Sequence, residues 1–184
     1  LHGGQRAGTA GGNDSIADVI SAIPVGWGDR LTHYNFCELE PSGISGSVFV
    51  DGNGDCLRDA SEPPLAGVTV ELRDAGGRLI DSTVTDATGR YSFNNLGPGE
   101  YQVREIQPSG YFHGGQMPGT GDGEVLGQDL LGVTLLAGER LVEYNFCEEA
   151  PSSIRGFVYV DDDGDCHHDP DERPLEGVAI ELRD

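Results

Sequence analysis

Two twelve-residue stretches of this chain are dense in oxygen donors. They are Asp51-Gly-Asn53-Gly-Asp55-Cys-Leu57-Arg-Asp59-Ala-Ser-Glu62 and Asp161-Asp-Asp163-Gly-Asp165-Cys-His167-His-Asp169-Pro-Asp-Glu172. A hard divalent cation takes roughly six to eight oxygens, and a ligand loop offers them from positions 1, 3, 5, 9 and 12, with a backbone carbonyl at position 7. The first loop answers with Asp51, Asn53, Asp55, the carbonyl of Leu57, Asp59 and Glu62. The second answers with Asp161, Asp163, Asp165, the carbonyl of His167, Asp169 and Glu172. Carboxylates held about 4 to 5 Å apart repel by a few kcal/mol per pair even at an effective dielectric near 20, so an ordered loop calls for a compensating cation. Ca²⁺ is the expected cofactor. His167 and His168 read as surface residues, because a hard-oxygen loop suits calcium better than a transition metal. Position 6, Cys56 or Cys166, needs a left-handed backbone that costs a non-glycine residue on the order of 1 kcal/mol. A further restraint is expected there.

The loops are part of a longer duplication with a period of about 110 residues. Gly28-Asp-Arg-Leu-Thr-His-Tyr34-Asn-Phe-Cys37-Glu matches Gly138-Glu-Arg-Leu-Val-Glu-Tyr144-Asn-Phe-Cys147-Glu, and the segment from Ser42 matches that from Ser152. His2-Gly-Gly-Gln5 recurs as His113-Gly-Gly-Gln116, one residue out of step. A period this long is one whole domain per repeat rather than a solenoid turn. The expected division is therefore the last strands of one repeat over residues 1–41, a complete repeat over 42–150 and the first part of a third over 151–184.

The elements that must position the loops read as strands. Ile44, Gly46, Val48 and Val50 alternate with Ser45, Ser47 and Phe49, which predicts a half-buried strand running into the first loop. Val68 to Arg73, Arg78 to Asp86, Tyr91 to Phe93, Tyr101 to Ile106, Asp129 to Leu136 and Arg140 to Cys147 follow as strands between glycine-rich turns. Ser109 to Gly127 is rich in glycine and nearly empty of large apolar residues, so it reads as a long surface loop. Seven short strands without helical periodicity predict an all-β fold of tandem sandwich repeats.

Charge and cysteines bound the partners. The chain carries 32 acidic residues against 11 basic ones, all arginine, for a net charge of -21. Such a surface repels phosphate, so nucleic acid is not an expected partner, and no run long and apolar enough for membrane insertion is present. Cys37, Cys56, Cys147 and Cys166 form two equivalent positions with no zinc spacing, which points to disulfides and an oxidising, extracellular compartment. Cys37–Cys56 with Cys147–Cys166 would staple consecutive domains. Cys56–Cys147 would tie the loop to the last strand of its own domain and leave Cys37 and Cys166 for partners outside the chain. Cys37–Cys147 is the least favoured, since it would join equivalent points a domain length apart.

Gly46-Ser-Val-Phe-Val-Asp51-Gly-Asn-Gly-Asp55, Asp59-Ala-Ser-Glu62-Pro-Pro-Leu-Ala-Gly-Val-Thr-Val, Thr85-Asp-Ala-Thr-Gly-Arg-Tyr-Ser-Phe-Asn-Asn-Leu and Pro98-Gly-Glu-Tyr-Gln-Val-Arg-Glu105-Ile-Gln-Pro-Ser-Gly-Tyr111 together resemble the SdrD-type B domains of serine-aspartate repeat adhesins. These are similar to the collagen-adhesin B type, a prealbumin-like, Ig-like sandwich. The resemblance implies tandem, calcium-stiffened stalks on a bacterial surface, with ligands at the loop positions named above. It also implies that the first and last strands run parallel and adjacent, which favours Cys56–Cys147. Glu105 falls where collagen-adhesin relatives carry the acid that promotes a lysine amide cross-link. This chain contains no lysine, so that bond cannot form, and a disulfide is expected to replace it.

The leading expectation is an extracellular structural repeat, a stalk, spacer or fibre shaft, with neighbouring repeats as partners. The alternative is an adhesive or self-assembling module for protein or glycan ligands, with Tyr111, Phe112, His113 and Gln116 as its surface. An enzyme is not expected, since neither a Gly-x-Ser-x-Gly elbow nor an HExxH helix is present.

Overall fold

The computed structural model describes residues 1–183; Asp184, the last residue of the expected third segment, lies outside them. The chain forms two compact units, Leu1–Pro151 and Ser152–Asp184. The first unit opens with β1 (His2–Arg6), β2 (Asn13–Ile16), β3 (Val19–Ser21) and β4 (Asn35–Glu38). Here β1 pairs with β4 and β2 with β3, both antiparallel.

Ten further strands make the sandwich: β5 (Ser42–Val50), β6 (Thr69–Asp74), β7 (Leu79–Val84), β8 (Arg90–Leu96), β9 (Gly99–Glu105), β10 (Phe112–Met117), β11 (Glu124–Gly127), β12 (Leu130–Leu135), β13 (Arg140–Leu141) and β14 (Asn145–Glu149). One sheet runs β10-β14-β5-β13 with β8 also on β5, and the other runs β11-β12-β9-β6-β7. The first and last strands lie side by side in parallel, Phe146 opposite Val48 and Cys147 opposite Phe49. Alternation places Val70 and Leu72 of β6, Tyr91 and Phe93 of β8, and Val103 of β9 in one core with Ile44, Val48, Leu131 and Phe146. The fold is the all-β sandwich expected, with no helix among the described residues.

Three local readings are corrected. Strand β5 is buried on both faces at its loop end: on the second face, where the chain returns at Pro64, Phe49 is covered as fully as Val48 on the first. Ser47 is buried with its N–H and hydroxyl donating to Asn145 Oδ1, while Ser45 is partly covered. The stretch from Ser109 to Gly127 is not one long loop but contains β10 and β11, held by backbone pairing to β14 and β12. The last strand is broken into β13 and β14, because Glu143 turns into the left-handed region at φ 64°.

Gly46 shows how tightly the two ends of the sandwich approach. A Cβ built there would stand 1.8 Å from the carbonyl oxygen of Tyr144 and 2.8 Å from the Tyr91 hydroxyl. That hydroxyl donates to the same Tyr144 carbonyl at 2.5 Å, directly over the glycine. A strand glycine marks such a close backbone approach. Gly46→Ala is expected to cost about 1–3 kcal/mol by forcing β5 away from the β13–β14 connection. Urea unfolding would read it as a lower midpoint at unchanged slope.

Candidate metal-binding loops and their surroundings

The first acidic loop is closed at its base by an antiparallel bridge between Phe49 and Pro64. Val50 N donates to Pro63 O and Leu65 N to Val48 O, each at 2.9 Å. The second loop repeats the arrangement with a Tyr159–Pro174 bridge and the bonds Val160 N to Arg173 O and Leu175 N to Val158 O, also at 2.9 Å. The same short motif thus makes the same clasp twice.

Inside each loop the first and last acids organise the backbone. Asp51 accepts from Asn53 N at 3.1 Å, Gly54 N at 2.7 Å and Cys56 N at 2.8 Å. Burial pushes the Asp51 carboxyl up, but the N–H groups of Cys56, Gly54, Asn53 and Asp55 outweigh it and hold it below the usual carboxylate range. Glu62 is buried and bridges the loop, accepting from Gly52 N at 3.0 Å and Asp59 N at 2.9 Å. Its counterpart Glu172 accepts from Asp162 N at 3.2 Å and Asp169 N at 3.0 Å. Asp161 accepts from Gly164 N at 2.6 Å and Cys166 N at 3.0 Å, and its carboxyl is lowered by the Cys166 N–H first and then that of Gly164.

The middle acids converge. In the second loop the carboxylates of Asp163, Asp165 and Asp169 offer oxygens within 4.8 Å of one another, and so do those of Asp161, Asp163 and Glu172. In the first loop the Asn53 amide nitrogen stands 3.1 Å from Asp55 Oδ2 and 3.5 Å from Asp59 Oδ2. Half a turn of that amide would present its oxygen to a cation at the same place. The Leu57 side chain is exposed, and the His167 ring lies in solvent with Nδ1 3.8 Å from Asp165 Oδ1. At both positions only the carbonyl is left to serve the loop.

Cys56 and Cys166 adopt the left-handed conformation that position 6 requires, at φ 53° and 60°. Cys56 is restrained by a disulfide to Cys147 on β14, with Cα atoms 5.5 Å apart. Cys37 and Cys166 are free thiols. The disulfide needs Gly115 beside it, since a Cβ there would lie 3.2 Å from Cys147 Sγ and 3.5 Å from Cys56 Sγ.

Behind the loop, the core rows of the two sheets end in acids. Glu148 follows Cys147 on β14 and points to the opposite face, while Glu105 closes β9 in the other sheet. Both are under 2% exposed. Burial pushes the Glu105 carboxyl up to about 10, with the charge of Glu148 adding to it, and burial likewise raises Glu148. Gln107 donates to Glu148, and His113 Nδ1 lies 2.6 Å from Asp129 Oδ1.

The sequence profile of the SdrD B-like domain matches residues 42–135, the stretch that carries the first loop and eight strands of the sandwich, β5 to β12. The chain belongs to the SdrD B-like domain family. Serine-aspartate repeat-containing protein E of Staphylococcus aureus (strain USA300) is 28% identical over 175 residues, covering 95% of this chain and 15% of that protein. Bone sialoprotein-binding protein of S. aureus (strain MRSA252) matches with the same figures, 28% over 175 residues, 95% and 15%. The chain therefore spans about 15% of the length of these relatives. Among solved structures, the minor pilin GBS52 of Streptococcus agalactiae aligns at TM-score 0.42 and 20% identity, covering 64% of this chain and 49% of that one. Shaft pilin SpaA of Lactobacillus rhamnosus GG aligns at TM-score 0.38 and 10% identity, over 62% and 51%.

In this SdrD B-like domain, two of the four residues singled out from sequence as an adhesive surface are engaged within the domain itself. Tyr111 packs against the core, and Gln116 Nε2 donates to Gly127 O at 2.5 Å. Phe112 alone of the four is more than half exposed, at 63%. Sequence reading missed Gln107, Asp129 and Glu148 altogether. The one available signal was the recurrence of His-Gly-Gly-Gln, whose spacing fits neither a plain loop nor an apolar strand.

Proposed function

We propose that this chain is a calcium-stiffened structural repeat of an extracellular bacterial surface protein, acting as a stalk, spacer or fibre shaft. The observation that carries the reading is the twofold recurrence of one loop frame, in which Asp51 and Glu62, or Asp161 and Glu172, fix the backbone so that the intervening acids converge. In the first repeat Asp51, Asn53, Asp55, the Leu57 carbonyl, Asp59 and Glu62 would hold the ion. In the second Asp161, Asp163, Asp165, the His167 carbonyl, Asp169 and Glu172 would do so. A bound Ca²⁺ supplies charge neutralisation and rigidity, and no reaction is assigned to it. Residues 1–41, 42–150 and 151–184 are assigned to three successive repeats, so neighbouring repeats of the same chain are the partners this reading calls for. The packing of Tyr111 against the core and the hydrogen bond of Gln116 to Gly127 O support a spacer ahead of an adhesive surface.

Stripping metal with a chelator and restoring Ca²⁺ alone tests the proposal. Saturation at about 100 times the dissociation constant is worth about 2.7 kcal/mol per site. Removal should therefore lower the thermal midpoint by roughly 5–10 °C. An equal midpoint with and without Ca²⁺ would overturn the reading.

A further inference from the structure

We propose that His113, Asp129 and Glu148, backed by Glu105, form a second metal site of a different kind from the acidic loops, one that takes a divalent transition ion such as Zn²⁺ and ties the two sheets together. A cross-strand pair supplies one nitrogen and one oxygen, since His113 on β10 stands in register with Glu148 on β14. Asp129 arrives from the other sheet, at the turn between β11 and β12, and Glu105 from the end of β9. Ligand atoms of His113, Asp129 and Glu148 lie within 4.8 Å of one another. An imidazole nitrogen among carboxylates suits zinc and its first-row neighbours, whereas calcium selects oxygen alone.

The second line of observation is what these groups lack. Both carboxylate oxygens of Glu105, Glu148 Oε1, Asp129 Oδ1 and His113 Nδ1 are shut off from solvent and form no hydrogen bond. His113 Nδ1 and Asp129 Oδ1 are 2.6 Å apart yet misaligned for a hydrogen bond. Buried polar atoms are normally paired, and a cation among His113, Asp129 and Glu148 would partner the three orphans that converge there, while Glu105, whose carboxyl burial keeps protonated, can share its proton with Glu148.

The surroundings are built to hold the ligands still. Asp129 sits in the left-handed region at φ 57°, with its N–H donating to Gln116 Oε1 at 3.4 Å while Gln116 Nε2 donates to Gly127 O at 2.5 Å. Gln107 donates to Glu148 Oε2, and the Asp129 carbonyl accepts from Glu105 N at 3.0 Å. Outer partners of this sort orient metal ligands. The stretch over residues 1–41 repeats the device: His2 pairs in register with Glu38, its Nδ1 stands 2.8 Å from Asp18 Oδ1, Asp18 has φ 59°, and Gln5 accepts from Asp18 N at 3.2 Å and donates to Ile16 O at 2.6 Å. His2, Asp18 and Glu38 likewise offer ligand atoms within 4.8 Å, though exposed. Two copies of the same three residue types and the same glutamine brace give the motif His-Gly-Gly-Gln its chemistry.

The experiment uses the full chain with the free thiols of Cys37 and Cys166 alkylated and with His2, His167 and His168 replaced by alanine, in saturating Ca²⁺. Zn²⁺ binding is followed by titration and by elemental analysis after desalting. One equivalent should be retained. Its affinity should fall at least tenfold in His113→Ala and in Glu148→Gln, the latter keeping the shape of the buried side chain so that folding is preserved. Equal zinc retention in the parent and both variants, or displacement of zinc by Ca²⁺ alone, would overturn the proposal. Because calcium is saturating throughout, failure here leaves the calcium reading untouched, and failure of the calcium reading leaves this one standing.

Discussion

Replacing Cys56 and Cys147 together with serine is expected to destabilise the sandwich by roughly 4–5 kcal/mol. The bond closes a sequence separation of 91 residues, and chain-entropy reasoning for a loop of that length gives this figure at 25 °C. The native geometry is unforced at the backbone, with Cα atoms 5.5 Å apart, and Gly115 leaves room for both sulfur atoms. Loss of the bond also frees Cys56 from the restraint that offsets its left-handed backbone, so the acidic loop loosens together with the global fold. Guanidinium unfolding of the wild-type chain with and without reductant should reproduce the difference seen between wild type and the double variant. A midpoint that does not move on reduction would show that the covalent link adds nothing to stability.

Phe146→Ala is expected to cost about 3–5 kcal/mol, the usual loss for truncating a buried phenylalanine. Phe146 is fully buried, lies beside Val48 in the parallel first-to-last strand pairing, and faces Tyr91 with ring centroids 6.4 Å apart. The cavity would open in the core beside the β14–β5 pairing, where the first and last strands of the sandwich meet. Because Phe146 adjoins Cys147, the two losses should not add, and a double-mutant cycle between Phe146→Ala and the cysteine pair should show coupling of at least about 0.5 kcal/mol. A loss below about 1 kcal/mol for Phe146→Ala alone would mean that the ends of the sandwich are held mainly by the disulfide.

The residues that spoke in the sequence were those with a regular period. Val70 and Leu72, or Tyr91 and Phe93, alternate with polar neighbours and lie where alternation puts them. Strand β10 was silent because its residues, Phe112-His-Gly-Gly-Gln-Met117, hold no alternating apolar row. It is a strand because β14 offers it a partner, and it is glycine-rich because a disulfide passes beneath it. The buried acids were hidden for a related reason. Glu105 and Glu148 occupy the inward positions of their strands, and a period-two reading expects a hydrophobic residue there. The acidic loops, by contrast, were legible as a ligand pattern, since their spacing is local and needs no knowledge of which strands meet.

The parallel placement of β5 beside β14, with the disulfide just beyond their shared end, determines what a pull on the domain can extract. Tension entering at Ser42 and leaving at Glu149 reaches Cys56 and Cys147 almost at once, and the covalent link carries it past everything between them. At about 3.3 Å per extended residue, some 300 Å of contour length is withheld from stretching. Such a repeat yields only its short flanks under force, and a fibre made of them keeps its length.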